Sequence, residues 1–461
     1  MRLLVFTIVT VLAGCGEAAT PSPGAPAPGG GEGGVAVLGG RGGATANPQA
    51  GQGGMHSAGG PGAGAGGTTA AAGGGAGSHA GAPSGGVAAG GGGAGGSGGS
   101  TAGGASHPYP STSSVLSVLE RVNEQFAEKW PDPATRLPGS RPSNIWTRCV
   151  YFEGLLALQE VSPRAEHLEY ALDWASYHDW SFRAPGTNAD NQCAGQVYFD
   201  LFELDQKRDP KRVAALRQSL NAMLNEPSSA NWTWIDAIQM SMPSWAREGV
   251  SSGDAKYLEK MHALYRHTKR VEGGGLYDEA SHLWWRDAQW KPGRALTPSG
   301  KNVFWSRGNG WVLAALVRVL DRLPEGAAHR PEYEQDFRDM AEALRLVQRE
   351  DGLWNASLAD PAHYGGPEVS GTALFTYGMA WGIRRGLLSE EVYGPVVREA
   401  WAGLERAVRA DGFLGFVQST GDDPSDGQPL SADKQPDFED YGVGCFLLAG
   451  SELSKLTRAQ R

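Results

Sequence analysis

The stretch that decides the fold is residues 308–320, which read GNGWVLAALVRVL. Its apolar residues cover most faces of a helix, whereas a helix on the surface of a globular protein carries one apolar stripe. A helix of this composition has to be covered by other elements on both sides. The segment therefore predicts an inner helix of a layered, helical fold.

Helical periodicity continues on both sides of this segment, from about residue 112 to the end of the chain. Apolar residues recur every three or four positions, and turn residues separate the repeats. The pattern predicts twelve helices, at 115–130, 146–161, 163–177, 191–204, 210–224, 236–246, 255–267, 308–323, 333–348, 371–387, 390–410 and 440–456. Twelve helices in antiparallel pairs indicate an all-α fold, an (α/α)6 toroid of six helical hairpins in two rings. An open helical solenoid is the alternative, but no repeat of fixed period supports it.

The N-terminal residues 1–15 are typical of an export signal. Met1 and Arg2 precede the short apolar run 3–12, and the following Ala-Gly-Cys ends at Cys15. This ending resembles a bacterial lipobox, so we expect Cys15 to be lipidated. The chain is then an exported lipoprotein held at a membrane, either the outer membrane or the cell surface. An ordinary signal peptide that contains a cysteine is the alternative.

Residues 16–110 are dominated by Gly and Ala and hold almost no aromatic side chains. Such a segment buries too little apolar surface to offset its conformational entropy. We therefore expect a disordered tether at 16–110, with the folded (α/α)6 domain at 111–461.

The formal net charge of -10 argues against a nucleic-acid partner, because binding phosphates requires a basic surface. An anionic substrate would have to be bound by local arginines. Of the four cysteines, Cys149, Cys193 and Cys445 lie in the helical part. This odd number gives no disulfide framework, and we expect small buried side chains.

Two aspartates stand at predicted helix starts beside residues suited to sugars. Asp236 comes two positions after Trp234 in the run 231–237, and Asp190 lies in NADNQ at 188–192. A carboxyl group beside aromatic side chains loses hydration, which raises its pKa and suits it to general acid catalysis. Either aspartate could instead cap its helix, which is a common role.

Two arginines are candidates for binding an acidic sugar. Arg307 stands at the entry of the inner helix, just before Gly308 and Gly310, with Asn309 two positions on and Trp311 one turn further on. Its planar guanidinium suits a carboxylate, and tryptophan offers an apolar face to a sugar ring. Arg286 follows a short alternation at 276–285 that predicts a hairpin over the mouth of the toroid. A structural ion pair is the alternative role for each arginine.

No pattern of a metal site or of a nucleophile triad is present in this sequence. The spacing HExxH does not occur, no GxSxG follows a predicted strand, and no CxxC pair suggests zinc. We expect no metal ion and no cofactor.

Five segments taken in order resemble a known family: NADNQCAGQ (188–196), WTWIDAIQMSMPSWAR (232–247), LYDEASHLWWRD (276–287), WSRGNGWVLAALVRVL (305–320) and EVSGTALFTYGMAWGIRRG (368–386). They are similar to the unsaturated rhamnogalacturonyl hydrolases of glycoside hydrolase family 105, relatives of the unsaturated glucuronyl hydrolases of family 88. The resemblance extends over about 115–456. It implies an (α/α)6 barrel that hydrates the C4=C5 double bond of an unsaturated uronate, so that unsaturated galacturonic acid leaves a pectin-derived rhamnogalacturonan oligosaccharide.

The resemblance also implies the roles of single residues. Asp236 would be the general acid and base, and Asp190 the assisting carboxylate. Arg307 and Trp311 would hold the uronate ring, with Trp234 nearby. Two positions depart from the family pattern: Asn191 stands where some members have a second Asp, and 284–287 stands where others place a His.

Two other functions are compatible with the sequence. The chain could be a surface glycan-binding lipoprotein that has lost its catalytic activity, or an (α/α)6 enzyme for another uronate-containing glycan. The sequence indicates no oligomeric state.

Overall fold

The computed structural model describes residues 108–460. The predicted export signal, Cys15 and the Gly-rich segment up to residue 107 lie outside the described residues. The described helices are α1 (Thr112–Lys129), α2 (Trp146–Val161), α3 (Ala165–Tyr177), α4 (Ala189–Leu204), α5 (Lys211–Leu224), α6 (Asp236–Ser252), α7 (Ala255–Arg270), α8 (Ser306–Leu320), α9 (Arg330–Arg345), α10 (Val369–Arg384), α11 (Glu390–Arg406) and α12 (Asp440–Ala459).

The even-numbered helices form a closed inner ring. Each of α2, α4, α6, α8 and α10 contacts the next even-numbered helix, and α12 contacts α2. The odd-numbered helices pack outside this ring, each against one or two inner helices. The predicted (α/α)6 toroid is therefore confirmed, and the open solenoid is excluded because the first and last inner helices meet.

Burial separates the two rings as the sequence predicts. In α10 every residue except Arg384 is buried, and in α8 only Arg318 is not classed as buried. The outer helix α7 buries a single stripe, which includes Tyr257, Met261 and Leu264. The three cysteines of the helical part are buried free thiols, as expected.

The ring closes through two glycines, Gly154 of α2 and Gly444 of α12. A Cβ atom on Gly154 would overlap the backbone of Gly444, and one on Gly444 would overlap the carbonyl group of Val150. The two helix backbones are thus closer than any larger side chain would permit.

Short hairpins lie between the helices. Strand β1 (Tyr277–Asp278) pairs antiparallel with β2 (Leu283–Trp284), which confirms the predicted hairpin before Arg286. Strand β3 (Trp354–Asn355) pairs with β4 (Pro367–Glu368). This second pair was not predicted from the sequence.

Helix α6 is longer than predicted. It continues past the expected end at residue 246 to Ser252, with Pro243 inside it, and stops at Gly253. The φ of Gly253 is +70°, a left-handed conformation that commonly ends helices. Within the described part of the chain, no helix has the length and hydropathy needed to cross a lipid bilayer.

Replacing Gly444 by Ala should lower the free energy of unfolding by about 1–3 kcal/mol, because the added methyl group meets backbone atoms that cannot move independently. The matched control is Gly326→Ala, since a Cβ atom there meets nothing within 4 Å. We expect this control to stay within about 0.5 kcal/mol of the wild type. Urea unfolding at equilibrium measures both variants, and equal values would show that α2 and α12 are not packed through this contact.

Candidate active site

All six inner helices begin at the same end of the toroid. An outer helix returns the chain between consecutive inner helices, so the inner helices run in one direction. Their first residues are Trp146, Ala189, Asp236, Ser306, Val369 and Asp440. Helix N-termini carry partial positive charge and free N–H groups, so this end of the toroid favours an anionic ligand.

The hairpin β1–β2 positions Asp236 at the first turn of α6. Trp234 forms an antiparallel bridge with Asp287, and the N–H of Ile235 donates to the carbonyl oxygen of Arg286 at 3.0 Å. Residues 284–287 therefore fix the backbone from which the Asp236 side chain projects.

Asp236 is a desolvated carboxyl group. It is 8% exposed, and its Oδ2 accepts no hydrogen bond from any residue that the structure describes. Burial raises its pKa, while the charges of Arg286 and Arg307 oppose that rise. Because Asp236 does not cap its helix through a side-chain hydrogen bond, the capping role does not account for it.

Asp190, the second residue of α4, is the other carboxyl group at this end. The cap of α4 is Asn188, whose side chain accepts from the N–H of Asn191. Burial raises the pKa of Asp190 to about 6, and the charge of Asp236 adds to the rise. The two predicted catalytic carboxyl groups are thus close enough for the charge of Asp236 to act on Asp190.

Arg286 lies beside Asp236 at the mouth of the site and is partly exposed. Its Nε lies 3.4 Å from Oδ2 of Asp236, and its Nη1 lies 2.6 Å from Asp287 and 3.8 Å from Asp422. Its side chain is 22% exposed. Arg286 is therefore a cation that a ligand can reach.

Arg307 is fully buried behind the site. Its Nη1 donates to Tyr441 Oη at 2.8 Å and to Gln418 Oε1 at 3.3 Å, and its Nη2 donates to the carbonyl of Ser419 at 3.0 Å. The guanidinium also stacks on Trp305. All of these partners are neutral, so the positive charge stays uncompensated by any hydrogen-bonded carboxylate of the described chain.

The tryptophans differ in what they offer a ligand. Trp311 is completely buried and meets Trp146 edge-on, with 6.1 Å between ring centroids. Trp146 and Trp234 are partly exposed at the starts of α2 and α6. Trp146 was not predicted as a site residue, although its signal was visible as an aromatic residue opening an inner helix, like Trp311 in the α8 entry.

Asn309, which was predicted to lie in the substrate site, stabilises the fold instead. Its Oδ1 accepts from the N–H of Trp284, and its Nδ2 donates to the carbonyl groups of Trp284 and Trp305. This buried amide ties β2 to α8 and has no donor left for a sugar. Asn191 has a similar role, because its Nδ2 donates to the carbonyl of Pro185 at 2.9 Å.

The long loop 407–439 supplies residues that sequence reasoning missed. Gln418 holds Arg307, and Asp422 approaches Arg286. Oxygen atoms of Asp422, Asp423 and Asp426 lie within 4.8 Å of one another. Asp426 Oδ2 already accepts the backbone N–H groups of Asp422 and Asp423, at 2.7 and 2.9 Å, so a turn accounts for this cluster.

A scan against protein families matches residues 118–457 to the model described as Glycosyl Hydrolase Family 88. The match extends over most of the chain and nearly all of the toroid. The chain belongs to glycosyl hydrolase family 88, and it is a glycoside hydrolase.

Similarity to individual proteins supports this family assignment. A protein of Formosa agariphila named unsaturated 3S-rhamnoglycuronyl hydrolase is 33% identical over 328 residues, which is 68% of this chain and 84% of the relative. A Bacillus subtilis protein named unsaturated rhamnogalacturonyl hydrolase is 31% identical over 187 residues, 40% of this chain and 49% of that protein. A solved family 88 structure from Bacteroides vulgatus is 32% identical with a TM-score of 0.69, covering 75% of this chain and all of that one.

Replacing Arg286 by Gln should raise the pKa of both Asp190 and Asp236, because the variant loses a positive charge that favours the ionised carboxylates. Carbon-13 NMR of labelled aspartate side chains measures the titrations. The matched control is Arg338→Gln, on the outer helix α9. A titration of Asp190 that stays near 6 in R286Q would contradict the arrangement described here.

Proposed function

We propose that the chain removes a 4,5-unsaturated uronate from the non-reducing end of rhamnose-containing oligosaccharides. The supporting observation is the pair of desolvated carboxyl groups, Asp190 and Asp236, at the N-termini of adjacent inner helices beside arginines. Family membership and the names of the relatives point the same way.

The names rhamnoglycuronyl and rhamnogalacturonyl share one reacting sugar. Glucuronate and galacturonate differ only in configuration at C4, and a C4=C5 double bond removes that stereocentre. The unsaturated uronate is therefore the same whichever sugar a lyase has cleaved. Our proposal includes release of unsaturated galacturonic acid from pectin-derived rhamnogalacturonan. Because the reacting sugar is the same in both substrates, the enzyme can distinguish them only by the neighbouring sugar.

In the proposed reaction Asp236 is the general acid, because burial favours its protonated form. Asp236 donates its proton to C4, and positive charge develops at C5 and the ring oxygen. The Asp190 carboxylate stabilises that charge. Water adds at C5 while Asp236 takes a proton back, the hemiketal opens, and the glycosidic bond breaks.

Arg286 couples substrate binding to this protonation. Arg286 faces Asp236 and opposes the rise in its pKa. When the uronate carboxylate approaches Arg286, the sugar replaces Asp236 as the counter-charge. The proton on Asp236 is then stabilised at the moment when the double bond requires it.

The aromatic residues and Arg307 complete the subsite. The partly exposed rings of Trp146 and Trp234 are available to stack on sugar. Arg307 lies too deep to be approached freely, and its Nη atoms are already held by protein acceptors. Arg307 therefore provides a fixed positive charge behind the uronate. Trp311 packs against Trp146 and supports its position.

Asp236→Asn should abolish turnover, by about 10³-fold or more, because an amide cannot supply the proton to C4. The substrates are oligosaccharides made by lyases from rhamnogalacturonan and from a rhamnose–glucuronate polysaccharide, with lyase-digested glycosaminoglycan for comparison. Loss of the ultraviolet absorbance of the conjugated double bond reports hydration directly.

Asp254→Asn provides the matched control, since Asp254 only caps the outer helix α7. This control should retain wild-type turnover. Full activity of D236N would contradict the mechanism. Activity confined to the glycosaminoglycan fragments would contradict the assignment of rhamnose beside the uronate.

We also propose that the chain is exported and that Cys15 anchors it to a membrane through a lipid. The support is the sequence alone: Arg2, the apolar run 3–12 and the small residues before Cys15. The Gly-rich segment then links the anchor to the toroid.

Cys15→Ser should release the protein from the membrane fraction, because lipid cannot attach to the serine side chain in this pathway. Incorporation of labelled fatty acid and partition into a nonionic detergent phase measure the effect in a bacterial host. Cys445→Ser is the control, as that buried thiol lies in α12. Equal labelling of C15S and wild type would exclude the anchor.

A further inference from the structure

Beneath the catalytic pair, side chains of three other inner helices meet at one carboxyl group, that of Glu153 in α2. Its Oε2 accepts a hydrogen bond from Nε2 of Gln239 at 2.9 Å, and its Oε1 accepts one from the thiol of Cys193 at 3.5 Å. Nη1 of Arg318 in α8 lies 3.8 Å from Oε2. The Glu153 side chain has no exposed surface.

The partners of Glu153 have a fixed relation to the catalytic residues. Cys193 comes three positions after Asp190 in α4, and Gln239 comes three positions after Asp236 in α6. Residues three apart on a helix share one face, so these partners lie one turn below the two carboxyl groups. A further hydrogen bond, from Nε2 of Gln196 to the carbonyl of Gln239 at 2.7 Å, joins α4 to α6 at the same level.

We propose that Glu153 is a positioning residue that sets the separation of Asp190 and Asp236 by tying α4 and α6 to α2. The turnover readout rests on the proposed function, whereas the geometry of the tie is independent of it. A shift of about 1 Å in catalytic groups can lower turnover by about 10²-fold, so a tie at this place has consequences for the chemistry.

The cost of burying Glu153 supports a role beyond stability. Burial raises its pKa to about 7, with the charge of Arg318 opposing the rise. A buried ion pair is weak evidence for stabilisation, since apolar residues of the same volume often serve as well. The charged and titratable groups that face Glu153 come from all six inner helices: Cys149, Cys193, Asp200, Arg247, Arg318, Tyr377 and Cys445.

The same side of the toroid provides a matched control. Glu153 lines a cavity of about 480 Å³ at the C-terminal ends of the inner helices, and Glu452 of α12 lines it too. Glu452 is buried and pairs with Arg384 of α10, but it has no hydrogen bond to α4 or α6. Both carboxyl groups have raised pKa values, so they differ chiefly in which helices they join.

The test compares Glu153→Leu, Glu153→Gln and Glu452→Gln, with kcat and KM measured well below each unfolding temperature. E153L should lower kcat by about tenfold or more with KM within about twofold, because binding groups remain while the two carboxyl groups move. E153Q should recover most of the loss, since its amide oxygen still accepts from Gln239. E452Q should lower the unfolding temperature and leave kcat within about twofold.

Crystal structures of wild type and E153L give a readout that needs no substrate. The separation of the Asp190 and Asp236 carboxyl groups should change by about 0.5 Å or more, a displacement large enough to affect catalysis. If E153L fails to fold, Cys193→Ala and Gln239→Leu are measured in its place, both in kinetics and in crystal structures. Each of these variants removes one hydrogen bond to Glu153.

An unchanged kcat together with an unchanged carboxyl separation would overturn the proposal. If the wild type hydrates no unsaturated uronide, the proposed function fails, and the crystal structures alone decide whether Glu153 sets the separation. A loss of stability equal in E153L and E452Q, with carboxyl positions intact, would assign Glu153 a purely structural role and overturn it as well.

Discussion

The contact between α2 and α12 is the constraint on which the rest of this structure depends. At Gly154 and Gly444 the two backbones approach too closely for any side chain, and this approach turns a row of hairpins into a ring. A closed ring covers the inner helices on both sides, which explains why α8 and α10 are apolar on nearly every face. Closure also brings six helix N-termini to one place, and the candidate active site exists only because of that convergence.

The convergence of the six inner-helix N-termini has an electrostatic consequence. The same burial that stabilises the ring strips water from Asp190 and Asp236 and raises both pKa values. Arg286 and Arg307 limit that rise, and they differ in access. Arg286 is reachable and can change partners, whereas Arg307 is fixed by Gln418, Ser419 and Tyr441. The site thus combines a fixed positive charge with an exchangeable one, an arrangement suited to an anionic sugar that must meet a protonated acid.

The sequence was sufficient for the twelve helices, because their apolar periodicity is local and strong. It also placed both aspartates at helix starts and predicted the hairpin that carries Arg286. It was wrong about the end of α6, where a left-handed Gly253 rather than a loss of periodicity stops the helix.

The features of the site that the sequence did not predict depend on contacts between residues that are distant along the chain. The acceptors of Arg307 lie more than 100 positions away, Gln418 and Ser419 in the loop 407–439 and Tyr441 in α12, and only the folded chain shows them. Asn309 was predicted to bind the sugar, yet its amide forms hydrogen bonds with the backbone of Trp284. Glu153 has no motif around it, and its significance follows only from the helices that meet at its carboxyl group.

The central claim is that a protonated Asp236 meets the sp² carbon C4 of a sugar whose carboxylate faces Arg286. A crystal structure of the D236N variant soaked with an unsaturated uronyl-rhamnose disaccharide tests it most directly. The account predicts the side chain of position 236 within about 3.5 Å of C4, as near-attack geometry requires, and the uronate carboxylate beside Arg286. A disaccharide bound with its double bond away from both aspartates, or seated in the cavity at the opposite end of the toroid, would contradict it.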